Sequence, residues 1–197
     1  HSGIHTFHVG KRAKVRYVER HYGEGDGRGE NIMNPTTVVE MDEDSYMEME
    51  TTQIKGVDST VRTTNAKLGD RATLIIKEKV MTHGKQLAKS DFTVDLDGED
   101  CHTNVISRSV AREDSKQVFL ARINGNNRCY GHSECDAIIM DHGVVAAIPE
   151  VTANCVDASL VHEAAIGKIA GEQLTKLMTL GLTEKEAEEQ IVKGFLK

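Results

Sequence analysis

Residues 91–98 read Asp-Phe-Thr-Val-Asp-Leu-Asp-Gly, an alternation of apolar and polar side chains that ends on a turn dipeptide. In an extended chain Phe92, Val94 and Leu96 fall on one face and Asp91, Thr93, Asp95 and Asp97 on the other, because successive strand residues point in opposite directions. A period of two marks a half-buried strand. The same alternation recurs at Ala13, Val15 and Tyr17, at Met47 and Met49 between Glu48 and Glu50, and at Ala72, Leu74 and Ile76. Residues 118–123 and 137–140 are instead apolar on both faces, so each of their faces must be covered. Turn pairs punctuate these runs at His83-Gly84, Asp97-Gly98, Asn124-Gly125 and His142-Gly143. Residues 23–31 (GEGDGRGEN) read as a flexible glycine-rich loop.

Two all-β architectures accommodate this pattern. Asp-Gly and Asn-Gly pairs argue for antiparallel hairpins. Many short strands with few aromatic residues also fit a parallel β-helix of stacked coils. No strict sequence period is visible, and spacing alone leaves both open.

Near Asp157 the texture becomes helical. Leu174, Leu177 and Met178 share a face at i, i+3 and i+4, and Gly181 follows as a C-cap. Thr183 and Glu186 form the Thr-x-x-Glu signature of a capping box, and Ala187, Ile191 and Phe195 line the apolar face of the helix it opens. The expected division is a β core over 1–157 and a helical region over 158–197.

Composition narrows the function classes. Lys and Arg total 24 against 31 Asp and Glu, a net charge of −7, which gives no electrostatic case for nucleic acid or an anionic membrane. No apolar run approaches the roughly 20 residues of a membrane span. No signal peptide is visible, and the chain opens on His1 rather than Met, so an upstream part is expected. Four irregularly spaced cysteines (Cys101, Cys129, Cys135, Cys155) do not resemble a disulfide framework and read as free thiols of a reducing cytoplasm. The phosphate-loop pattern Gly-x-x-x-x-Gly-Lys-[Ser/Thr] does not occur, so ATP chemistry would have to come from a partner.

The chemistry-bearing residues gather late in the chain. Cys135, Cys155, His162 and Glu163 offer soft sulfur, borderline nitrogen and hard oxygen, a mixture suited to iron or zinc. Taken alone, Cys135 at the entry to an apolar strand reads equally as a buried structural thiol. Glu163, read as opening a helix, would be ordinary dipole decoration. In that helix His162 and Glu163 would diverge by about 100°, so only one would reach a given metal. Cys155 follows Cys135 by about one coil length and reads equally as ligand and core filler. Asp136, Cys129 and His132 are weaker candidates; Cys129-x-x-His132-x-x-Cys135 is not a standard zinc spacing.

Segments SRSVA (107–111), FLARINGNN (119–127), ECDAIIMD (134–141), AIPEV (147–151), HEAAIGKIAGEQL (162–174) and GLTEKEAEEQIVKGF (181–195) resemble the SufB/SufD family, the scaffolds of the SUF iron–sulfur assembly system. The resemblance implies a right-handed parallel β-helix followed by a short C-terminal helical region. It implies a non-enzymatic scaffold on which an iron–sulfur cluster is built transiently. A SufC-type ABC ATPase would dock on the helices, with a SufD-like paralogue or a second copy as dimer partner. The family's functional cysteine and glutamate carry over to Cys135 and Glu163, with His162 adjacent and Cys155 and Asp136 as further cluster or metal candidates. HEA at 162–164, where SufD-like members have HGA, makes the chain SufB-like, and its length makes it a minimal or truncated member. Alternatives are a zinc-binding structural β protein using Cys129, His132 and Cys135, an ATPase-docking subunit without a cluster site, and a carbohydrate-active β-helix using Asp95 and Asp97.

Overall fold

The structure, a computed structural model, describes residues 2–22 and 31–197; the segment 23–30, read above as part of a flexible loop, lies outside the described residues. The strands are β1 (Ile4–Val9), β2 (Lys14–Tyr22), β3 (Ile32–Met33), β4 (Thr36–Met41), β5 (Tyr46–Lys55), β6 (Ser59–Leu68) and β7 (Thr73–Thr82). They continue as β8 (Leu87–Leu96), β9 (Cys101–Ala111), β10 (Lys116–Gly125), β11 (Cys129–Ile139), β12 (Val144–Ala153) and β13 (Ala158–Gly167). Helices α1 (Gly171–Thr179) and α2 (Glu184–Phe195) close the chain.

The chain alternates between two sheets. One has the order β1-β4-β6-β8-β10-β12, with β3 beside β6; the other has β13-β11-β9-β7-β5-β2. Neighbouring strands in both are parallel, as in the pairs Leu68–Leu96, Leu96–Gly125 and Gly125–Ala153. The fold is therefore a parallel β-solenoid of about six turns, as the family resemblance implied. Its Asp-Gly turn carries the chain from one sheet to the other and makes no hairpin within a sheet. Those three register steps are 28, 29 and 28 residues long (96 − 68, 125 − 96, 153 − 125), and this variation hides the repeat from a search for a strict period.

Stacked turns need unusual backbone. Arg12, Asp44, Arg71 and Asp100 recur at equivalent corners with φ of 54–60°, a region non-glycine residues seldom occupy. Each is tied to the next coil: the N–H groups of Arg12, Asp44, Arg71 and Asp100 donate to the carbonyls of Glu43, Asp70, Glu99 and Arg128 at 2.7–3.0 Å. The Arg71 guanidinium also pairs with Asp44 and Glu43, and Arg128 donates to both Asp100 carboxylate oxygens at 2.7 and 2.8 Å. At one such corner a Cβ on Gly98 would lie 2.0 Å from the Gly69 carbonyl carbon, so only glycine fits.

The interior is divided along the strands. Towards these corners it is apolar: Val39, Met47, Leu68, Leu74, Ile76, Val94, Leu96 and Ile123 are 0–1% exposed. Towards the opposite corners it turns polar. Register aligns Glu19, Thr51, Glu78, Ser107 and Cys135 on successive strands β2, β5, β7, β9 and β11. Arg62 of the facing sheet, 4% exposed, donates to Glu19 at 2.9 Å. Burial would raise the Glu19 carboxyl, but the His21 ring and the Arg62 guanidinium overcome it and hold the group at about 2. Glu78 accepts from the Ser90 hydroxyl at 2.6 Å and the Ser107 hydroxyl at 3.0 Å, yet burial still raises its carboxyl above the usual range.

One expectation is corrected. Residues 158–167 form strand β13 and not the start of a helix, and helix begins at Gly171. Ala158, Leu160 and His162 alternate inward against Ser159, Val161 and Glu163, a period of two that a single helical frame over 158–197 overlooks. The rest of that region agrees with the reading. Gly181 has φ +96°, Thr183 and Glu186 form the capping box, and Ala187 is buried with Ile191 and Phe195 half-buried, while Val192, outside the face expected from the sequence, is buried as well. No helix among the described residues is long and apolar enough to cross a membrane.

Glu78 sets a pH test. Because its folded pKa lies above the usual carboxylate range, the unfolded chain releases this proton first as pH rises, and stability falls through that interval. Gln cannot titrate but can still accept from Ser90 and Ser107, and Arg62 keeps Glu19. The melting temperature of Glu78→Gln relative to the parent is therefore expected to be higher at pH 8 than at pH 5, by roughly 2 °C or more. Thermal melts at the two pH values check this.

Candidate functional site

The sequence His132-Ser133-Glu134-Cys135-Asp136 runs through β11 with a period of two. His132, Glu134 and Asp136 therefore point away from the solenoid, while Ser133 and Cys135, 0% and 1% exposed, point into it. On the neighbouring β13, Glu163 is the register partner of Glu134, His162 of Ser133 and Ala164 of Cys135.

This register gathers a donor set on the outer face. One ligand atom each from His132, Glu134 and Glu163 lies within 4.8 Å of the others. His132 Nε2 is 3.4 Å from a Glu163 carboxylate oxygen, and its Nδ1 is 2.9 Å from Asn104 Oδ1 on β9. A ring held at one nitrogen by an oxygen acceptor presents the other to a ligand, the usual arrangement of a metal-binding imidazole. Burial raises the Glu134 carboxyl, as do a hydrogen bond to Asp136 and its charge, while Arg108 and His132 oppose. One imidazole and two carboxylates make a nitrogen–oxygen site with open positions, suited to iron(II), manganese(II) or zinc(II).

Cys135 faces the other way. Burial first, then the charges of Glu78 and Asp136, push its thiol up to about 12, so it is protonated at neutral pH. His162 shares its face: the ring Nδ1 lies 3.2 Å from the Ser133 hydroxyl, and burial followed by the charge of His132 lowers the ring's pKa. Cys155 lies apart, half-buried in the turn before β13, at the opposite end of the strands from Cys135.

The sequence-predicted residues thus occupy three places. Cys135 and His162 face inward, Glu163 and Asp136 face outward on the same two strands, and Cys155 sits at the far corner. His162 and Glu163 diverge more than the helical reading allowed, because consecutive strand residues take opposite faces. The Cys129–His132–Cys135 zinc set cannot form, since His132 leaves the sheet on the face opposite both thiols. Asp95 and Asp97, the carbohydrate-site candidates, accept from the side-chain amides of Asn124 and Asn126 at 2.8 and 2.6 Å and belong to stacked ladders. Glu134 was missed as a donor because its role depends on register with Glu163, although its two-residue spacing from His132 was readable.

The chain matches the family model described as SUF system FeS cluster assembly, SufBD core domain, over residues 1–195. It is 34% identical over 190 residues to an iron-sulfur cluster assembly SufBD family protein of Methanocaldococcus jannaschii, covering 95% of this chain and 60% of that protein. A SufBD family protein of Archaeoglobus fulgidus is 30% identical over 199 residues, covering 100% of this chain and 53% of the relative. Iron-sulfur cluster assembly protein SufB of Bacillus subtilis is 32% identical over 99 residues, 48% of this chain and 21% of that protein. The chain spans about half to three-fifths of the length of these archaeal relatives.

The outer donor set is tested with cobalt(II) as a spectroscopic stand-in for iron(II). His132→Ala and Glu163→Gln are each expected to weaken binding by more than the roughly 10- to 100-fold that a removed supporting partner costs, while Asn104→Ala falls within that range. Visible absorption titrations measure all three.

Proposed function

The chain belongs to the SufBD family, and we propose that it is the core of a scaffold on which iron–sulfur clusters are assembled. The observation that carries this reading is the convergence of His132, Glu134 and Glu163 on the two strands that also present Cys135. The three outer donors hold incoming iron. Cys135 supplies the soft ligand or sulfur carrier from the inner face, and His162 is the nearest imidazole to it along that face. The iron–sulfur unit is cargo, built and handed on.

The last coil favours a paired scaffold. β12 and β13 end their sheets, and each leaves one edge of backbone N–H and C=O groups unpaired by a further strand among the described residues. Val144, Ile148 and Val151 of β12 and Val161 and Ile166 of β13 are 37–49% exposed, an apolar surface beside open edges. A second SufBD-type chain, either another copy or a SufD-like paralogue, would cover that edge and complete the ligand set close to Glu163. Helices α1 and α2 supply the docking platform for a SufC-type ABC ATPase. α1 has no buried residue, and Leu180 is 76% exposed, so apolar surface there remains for a partner.

Anaerobic reconstitution with iron(II) and sulfide tests the scaffold reading. The parent chain is expected to develop the visible charge-transfer absorption of a cluster, and Cys135→Ala to lose it. A cluster spectrum unchanged in Cys135→Ala would sink the assignment. For the paired arrangement, Ile148→Asp combined with Ile166→Asp is expected to lower the sedimentation-derived mass to that of one chain while leaving the β-rich circular dichroism spectrum intact.

A further inference from the structure

Two side-chain contacts cross the polar half of the interior from one sheet to the other. Arg62 of β6 reaches Glu19 of β2 at 2.9 Å, and Ser90 of β8 reaches Glu78 of β7 at 2.6 Å. Arg62 and Ser90 are register partners on their own sheet. On the facing sheet Glu19 and Glu78 are not neighbours, because Thr51 of β5 lies between them as the register partner of both. The two bridges therefore stand on either side of Thr51.

A small cavity occupies that place. It measures about 10 Å³, and its lining includes Thr51, Thr60, Arg62, Glu78 and Ser90. Thr51 and Arg62 are each 4% exposed. Among the described residues two buried side-chain atoms have no hydrogen-bond partner, Thr51 Oγ1 and Arg62 Nη2, and both belong to residues of this lining. A hydroxyl and a charged donor left unsatisfied in a core would each cost stability.

Size and charge select the occupant. A space of about 10–15 Å³ admits one water-sized sphere, and a buried water needs two to four polar partners. Here it accepts from Arg62 Nη2 and donates to Thr51 Oγ1. The Glu78 carboxyl is a third neighbour, since its oxygens each take one serine hydroxyl and keep further lone pairs. An anion is disfavoured: Glu19, whose carboxyl titrates at about 2, already balances the Arg62 charge, and Glu78 repels an anion once ionised. A cation would meet the Arg62 guanidinium. A neutral polar molecule of one heavy atom remains.

We propose that a single water molecule is bound between Thr51 and Arg62 and bridges the two sheets as a fixed part of the interior. It stands between the Arg62–Glu19 and Ser90–Glu78 contacts, so that protein, water and protein bridges follow one another along the solenoid. The site does not depend on the scaffold reading.

Magnetic relaxation dispersion of the water oxygen nucleus counts the waters held in the folded chain, and thermal melts supply a second readout. Thr51→Val keeps the branched shape but exchanges the hydroxyl for a larger methyl group, removing a partner and part of the room. This variant is expected to hold one long-lived water fewer than the parent and to melt lower by roughly 2 °C or more. Thr51→Ser, which retains the hydroxyl, keeps the parental count. A dry cavity gives the opposite sign, since removing an unpaired buried hydroxyl would raise the melting temperature and leave the count unchanged. No long-lived water in the parent, an unchanged count in Thr51→Val, or a melting temperature of that variant at or above the parent's would overturn the proposal.

Discussion

Register between parallel strands is the constraint on which everything else in this molecule depends. A strand sends consecutive side chains to opposite faces, so moving a pairing by one residue exchanges every inward residue for an outward one. With β11 and β13 paired as they are, Glu134 meets Glu163 outside while Cys135 lies beside Ala164 inside. The chemistry of the chain follows from that assignment more than from which residues it contains. The same rule makes the column of Cys101 and Cys129 and the polar row Glu19–Thr51–Glu78–Ser107–Cys135.

That polar row has a cost, and its location is informative. A charged group taken from water is unfavourable unless it is paired and hydrogen-bonded. Arg62 pairs with Glu19, and Ser90 and Ser107 donate to Glu78, so most of this demand is met inside the solenoid. Thr51 Oγ1 and one terminal nitrogen of Arg62 are nevertheless buried without a hydrogen-bond partner among the described residues. An aliphatic filling would avoid the cost, and the opposite half of the same interior has one. The polar half leads along its strands to Cys135, where the negative charge of Glu78 helps keep the thiol protonated.

How much of this was legible depends on whether a feature is local or stacked. The strands at 91–96 and 72–76, the capping box at Thr183 and the C-cap at Gly181 are written in a few consecutive residues, and all are present in the structure. The architecture was not local. Asp-Gly turns signal hairpins in isolation, and only coil-to-coil pairing reveals that they join different sheets. β13 was misjudged because Ala158–Gly167 is a half-exposed edge strand, whose weak alternation is overshadowed by the helices that follow it. Glu78 and Arg62 gave no warning at all: a charged residue within a strand looks solvent-facing until the phase of its neighbours is fixed.

The placement of Glu163 then follows from how β13 is anchored. An edge strand is held by hydrogen bonds on one side only, so its register rests on whichever side chains it seats in the core. Leu160 packs against the buried cluster around Leu96 and Ile123, and it also lies opposite Gly131, where any Cβ would come within 2.9 Å of it. His162 follows two residues later and is fixed by the Ser133 hydroxyl. A slip of one residue would expel Leu160, break the His162 contact and press Val161 or Ser159 into the space that Gly131 vacates. The glycine on β11 thus acts at a distance from any chemistry: by admitting Leu160, it sets the phase of β13 and commits Glu163 to the face it shares with His132 and Glu134.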